Sequence, residues 1–212
     1  MTQLFNSDEI LQEYQRYRKV NRDLNHKIID AYINRALIEK SARMLNLWKN
    51  GVLILESEDD INVLMDFALY EIRQADGKNL VERYAEEKGG SNAIERELLT
   101  AMVKARTGLF KVSQVLRGKG QVVLENLTAP EAQVVLTDIN FSQTRREELI
   151  VFFRPVRVMK FTMTSGIVFA FPAAMEQGLL TRWKQLESRG NAERFAWFFK
   201  ESKRSGFEIR YA

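Results

Sequence analysis

The sequence predicts an α+β fold: a helical N-terminal region (residues 1–107), a small SH3-like or OB-like β-barrel (108–171) and C-terminal helices packing back on the barrel (172–212). Three observations carry this. Apolar residues recur at three- and four-residue spacing before and after the middle segment. Inside that segment, short β-branched and aromatic runs are divided by Gly, Pro and Asn. About five such runs with few residues between them suit a small barrel better than an open sheet.

Taken in order, Asn6 and Glu9 form a capping box, so a first helix is expected from Ser7 to Leu24, with Ile10, Tyr14 and Tyr17 on its apolar stripe. A second, from His26 to Lys49, carries Ile29, Ile33, Ala36, Leu37, Met44 and Trp48 and ends near Gly51. Val52 to Leu55 reads as a buried strand or an apolar linker. Ser57 and Asp60 open the next helix, whose buried face is Ile61, Leu64, Met65, Ala68, Leu69 and Ile72. The trio Glu58-Asp59-Asp60 points in different directions from a first turn, which favours capping over metal ligation. Gly77 and Gly89-Gly90 bracket a polar helix, Asn79 to Lys88, and mark the candidate flexible joint. Asn92 and Glu95 start the last helix before Gly108.

Within the middle, Leu109 to Leu116 alternates apolar and polar, Arg117 to Gly120 turns, and Gln121 to Leu127 is a second run. Gln133 to Thr137 is a third. Ile139 to Glu148 lacks a period and is expected to be a loop. Leu149 to Phe153 is wholly apolar, as a strand covered on both faces requires. Pro155 implies an edge or a bulge, and a bulge would bring Arg154 and Arg157 to one face. Val156 to Thr164 and Ile167 to Phe171 supply the remaining strands. Pro172 suits an early helix position. Met175, Leu179, Trp183 and Leu186 form one helical stripe, and Asn191 starts a helix to about Ser205. Phe207 to Tyr211 alternates and is expected to add a final strand.

Residues Leu109-Phe110, Val112, Gly118, Gly120, Leu124, Leu127, Asp138 and Ser142 resemble a pattern in a small β-barrel module of uncharacterised bacterial proteins, some of which carry a SEC-C zinc motif. The resemblance spans residues 109–142 and implies only the barrel. This chain has no cysteine, so that zinc motif is absent and no functional residue carries over.

Composition narrows the classes. Without cysteine, disulfides and thiolate chemistry are excluded, and no cofactor or metal is expected. The N-terminus has no basic start followed by an apolar stretch, and no apolar run is long enough for a membrane; the expectation is a cytoplasmic protein. The net charge is +4, but residues 1–107 hold 16 Lys/Arg against 18 Asp/Glu, and residues 108–212 hold 16 against 10. That asymmetry points toward an acidic partner.

The leading expectation is therefore a non-catalytic binding protein that contacts nucleic acid through the barrel, by way of Lys111, Arg117, Lys119, Arg145, Arg146, Arg154, Arg157 and Lys160. Phe152, Phe153 and Phe161 are the stacking candidates. The alternative is a protein-interaction or self-association module using a barrel edge or the last helix, with Trp197, Phe198, Lys200 and Arg204 as candidates. The Arg16-Tyr17-Arg18-Lys19 run could touch nucleic acid, but it reads better as a tyrosine-rich contact face flanked by solvated charges. A third class, an enzyme, has no catalytic constellation in its favour: His26 is the single histidine, and Ser142, Ser165, Asp138, Glu147 and Glu148 lie in no nucleophile elbow or metal motif.

Overall fold

The computed structural model describes residues 7–129, 133–143, 148–205 and 207. Helices flank a central closed barrel of five strands on both sides in sequence, an α+β arrangement.

The helical region differs from expectation in its breaks. α1 runs unbroken over Ser7–Tyr32, because Leu24 and Ile28, both fully buried, continue one stripe through the expected break. The chain turns at Asn34, whose Oδ1 accepts from Leu37 N at 3.0 Å and starts α2, Arg35–Met44. In place of a longer helix, β1 (Trp48–Lys49) and β2 (Val52–Leu53) form a hairpin. Asn50 and Gly51 supply its two positive φ angles, 53° and 82°, the conformation that Asn-Gly favours in two-residue hairpins.

α3 (Glu58–Tyr70), α4 (Leu80–Glu87) and α5 (Ala93–Lys104) lie where the sequence places them. Asn79 and Asn92 cap α4 and α5 through bonds to Glu82 N (2.8 Å) and Glu95 N (3.0 Å). Gly90 has a steric reason: a Cβ there would lie 2.4 Å from Arg96 N and 2.7 Å from Glu95 C. It lets the chain pass close to the first turn of α5.

The barrel strands are β3 (Gly108–Leu116), β4 (Gln121–Asn126), β5 (Gln133–Thr137), β6 (Leu149–Arg157) and β7 (Thr162–Pro172). They close in the order β3-β4-β5-β7-β6. All pairings are antiparallel except β5 with β7, which meet at one parallel bridge, Leu136 with Thr162. The expected loop after β5 contains a short helix, α6 (Ile139–Ser142), because Asp138 Oδ1 accepts from Phe141 N at 3.0 Å. Phe141 thereby joins the barrel interior with Phe110, Leu124, Val151 and Phe153.

β6 explains why its sequence lacks alternation. Val151 and Phe153 fill the barrel, whereas Ile150 and Phe152 join the core shared with the helices. The expected bulge is present as a register shift between Phe153 and Pro155. β7 runs straight through Gly166 and ends at Pro172, so that proline closes a strand instead of opening a helix. A 3-10 turn (Ala173–Met175), α7 (Glu176–Gln185) and α8 (Asn191–Ser205) follow. Phe207 bridges Ala170 of β7, its N–H donating to Ala170 O at 2.9 Å; the rest of the expected final strand lies outside the described residues. Among the described residues no helix is long and apolar enough to cross a membrane.

Candidate binding surfaces

Arg154 occupies a different environment from the one its neighbours in sequence suggest. The side chain is 2% exposed and lies between β6 and α3. Its Nη1 donates to Asp66 Oδ2 at 2.6 Å and to Ser165 Oγ at 3.3 Å, and its Nη2 to Glu71 Oε1 at 2.5 Å. The guanidinium also stacks 3.9 Å from the Tyr70 ring centre. Burial alone would depress the guanidinium pKa, but Asp66 and Glu71 outweigh it and hold the pKa above its usual value. Burial pushes the Tyr70 hydroxyl up as well, against the pull of Arg154. This arginine is a tertiary clamp, its guanidinium buried and bonded to two carboxylates. Although the bulge at Pro155 exists, Arg154 is inside and Arg157 is exposed, so the expected shared face is not formed.

The other candidate cations divide. Lys111 Nζ pairs with Glu176 Oε2 at 3.0 Å, and Lys160 Nζ with Glu13 Oε2 at 3.5 Å. Arg117, Lys119 and Arg157 are exposed and have no ion pair among the described residues. Arg145 and Arg146 lie outside the described residues.

Two turns border the N-terminal half of α1. At the β3–β4 turn, a Cβ on Gly120, φ 61°, would meet the Leu11 side chain at 2.6 Å. At the β6–β7 turn, Phe161 packs edge-on against Tyr14 and Tyr17, with ring centres 6.0 and 5.4 Å apart. Tyr17 Oη donates to Glu97 Oε2 at 2.7 Å, and burial together with that bond pushes its pKa up to about 12. Glu97 Oε1 accepts from Met159 N at 2.7 Å, which fixes the β6–β7 turn against α5. Met159 itself projects from the turn and is 87% exposed. Phe152, Phe153 and Phe161 are all buried; they are core residues and offer no base a stacking surface.

The aromatic face of α8 is likewise mostly interior. Phe198, fully buried, stacks on Phe152 with ring centres 4.4 Å apart and planes at 11°. Trp197 is half-buried, with Arg182 5.4 Å from its ring centre. Lys200 and Arg204 are exposed, and Arg204 Nη2 donates to Glu201 at 2.9 Å. The four candidates on α8 therefore do not form one contact face, since Phe198 belongs to the core.

A surface the sequence reading missed lies on the β1–β2 hairpin. Val52 is 56% exposed, and Ile54 and Leu55 are each 40% exposed. Trp48 and Leu53 occupy the inner face of the hairpin and pack on the helical core, so the strand period turns Val52 outward. Leu55 continues into a shallow depression lined by Glu56, Ser57, Glu58, Ile61 and Asn62. Asp60 on its inner side is buried, accepting from Glu56 N at 2.7 Å and from Lys203 Nζ at 2.8 Å. Glu58 and Asp59 are exposed and have no ion pair among the described residues. The sequence signal was available: an aliphatic run directly after Asn-Gly belongs to a two-stranded hairpin, and a ribbon so short hides only one face.

Among the described residues no group of three or more His, Cys, Asp or Glu is placed to hold a metal ion. His26 is exposed on α1. The fold and its surfaces define an α+β protein built on a closed five-stranded barrel, with an exposed apolar hairpin and charges that have no ion pair among the described residues at its exterior. Residues 8–212 match the family of unknown function DUF7986, and the chain belongs to that family. No curated protein and no solved structure matches it.

Proposed function

We propose that this is a non-catalytic binding protein whose partner is a protein segment, held at the β1–β2 hairpin and the depression beside Leu55. The observation that carries the reading is the run of exposed aliphatic side chains Val52, Ile54 and Leu55 next to the carboxylate of Glu58, which lines the depression and has no ion pair among the described residues. Apolar anchors with a charged rim are the usual anatomy of a recognition surface. We take the barrel to be of the SH3 or OB kind, which serves here as the rigid body against which the helices and the hairpin are fixed.

Selection of random displayed peptides on the full-length protein tests this. Peptides with aliphatic anchors flanked by Lys or Arg should be enriched on the wild type and not on Leu55→Lys. Equal enrichment on both would refute the site.

A second reading rests on Arg117, Lys119 and Arg157, exposed cations without a counter-ion among the described residues. Nucleic-acid contact through them requires affinity for single-stranded RNA or DNA to fall steeply with salt, and to fall again in the triple alanine variant. The burial of all three stacking candidates weighs against it.

A further inference from the structure

We infer that the occupant of the hairpin depression is a second copy of this chain, which inserts its β6–β7 turn with Met159 as the knob. This rests on the reading above and names the partner of the same site.

Two surfaces of the molecule complement each other. The depression offers Leu55 and Ile61 beside exposed Glu58. The β6–β7 turn offers Met159, the most exposed large apolar side chain among those described, at 87%, two residues after exposed Arg157. A flexible thioether suits a shallow, irregular aliphatic site, and an arginine two residues away brings opposite charge to the Glu58 carboxylate. The turn is presented rigidly, because Glu97 holds Met159 N at 2.7 Å, and Val158 N donates to Phe161 O at 3.0 Å. Little ordering is then lost on docking.

The knob and the depression share no residue. Each copy can therefore give a knob to one neighbour while accepting another, a heterologous contact that continues or closes into a ring. The contact is small and partly ionic, so association is weak and decreases with salt.

Sedimentation velocity on the full chain tests the proposal with two variants, Met159→Glu, which spoils the knob, and Leu55→Lys, which spoils the depression. Both positions are exposed, and unchanged thermal melting confirms the fold of each. Wild-type mass should rise above the monomer below about 1 mM, the weak end of measurable association, and fall back at high salt. Each variant alone should stay monomeric, and an equimolar mixture should form a dimer and stop there. Three results would overturn the proposal: a wild type monomeric throughout, variants that associate as the wild type does, or a mixture that stays monomeric. If any of these occurs while peptides are still enriched on the wild type and not on Leu55→Lys, the depression binds another protein. If peptide enrichment fails too, both readings fall.

Discussion

Arg154 Nη1 stands 2.6 Å from Asp66 Oδ2, although 88 residues separate the two in the chain. The contact joins the strand that passes through the barrel bulge to the helix that covers it. With Glu71 taking the other end of the guanidinium, one side chain ties β6 both to α3 and to the residue that caps it.

Breaking that clamp from one side leaves buried charge without a partner. Arg154→Met should destabilise the protein by about 3–5 kcal/mol, read as a lower urea midpoint at unchanged slope. Adding Asp66→Leu and Glu71→Leu should recover most of the loss, because no buried carboxylate then remains unpaired. A loss below about 1 kcal/mol for Arg154→Met would show that the pair behaves like a surface ion pair.

Glu95 gives a pH signature. Its carboxylate accepts from Lys27 Nζ at 2.7 Å and from Ser91 Oγ at 2.6 Å, and these bonds lower its pKa from the usual 4.5 to about 2. A depressed folded pKa contributes stability that is complete above pH 4.5 and is lost as the pH falls through 2. The stability difference between the wild type and Glu95→Gln should therefore be constant above that window and shrink within it. A difference independent of pH would mean that Glu95 is not held as a carboxylate by Lys27 and Ser91.

Gly90 and Gly77 separate two reasons for glycine. At Gly90 a Cβ would clash with the backbone of Arg96 and Glu95, whereas Gly77 has open space and φ 80°. Gly77→Ala should cost about 1–2 kcal/mol from the left-handed backbone alone. Gly90→Ala should cost more and should speed amide exchange in the first turn of α5, which Gly77→Ala leaves unchanged. Equal exchange in the two variants would place the strain elsewhere.

On α8, Phe198→Ala should cost about 3–5 kcal/mol, since the ring is fully buried against Phe152. Trp197→Ala, at a half-buried position, should cost less than half as much. Thermal melts of the two variants decide it: a reversed order would mean that Trp197, and not Phe198, anchors the helix to the barrel.

Local signals in the sequence survive in the structure. The helix starts at Ser57, Asn79 and Asn92, the span of β5 and the bulge near Pro155 are all found where residue spacing puts them. Each depends on backbone preferences acting within a few residues. The signals at Asn34 and Asn50-Gly51 are equally local, but the apolar residues around them also fit a helical period, which masks both turns.

The sequence by itself determined the α+β class, the order of the main elements and the apolar character of β6, because hydrophobic period and capping chemistry are short-range properties of the chain. Only the tertiary structure decided which charges reach solvent. Arg154 and Arg157 stand three residues apart in one strand, yet one is clamped by carboxylates from α3 and its C-terminal end while the other is exposed. The same holds for Leu55 and Phe152, both apolar, one at the surface and one within a stack of rings. Burial depends on partners far away in sequence, and no local spacing encodes them.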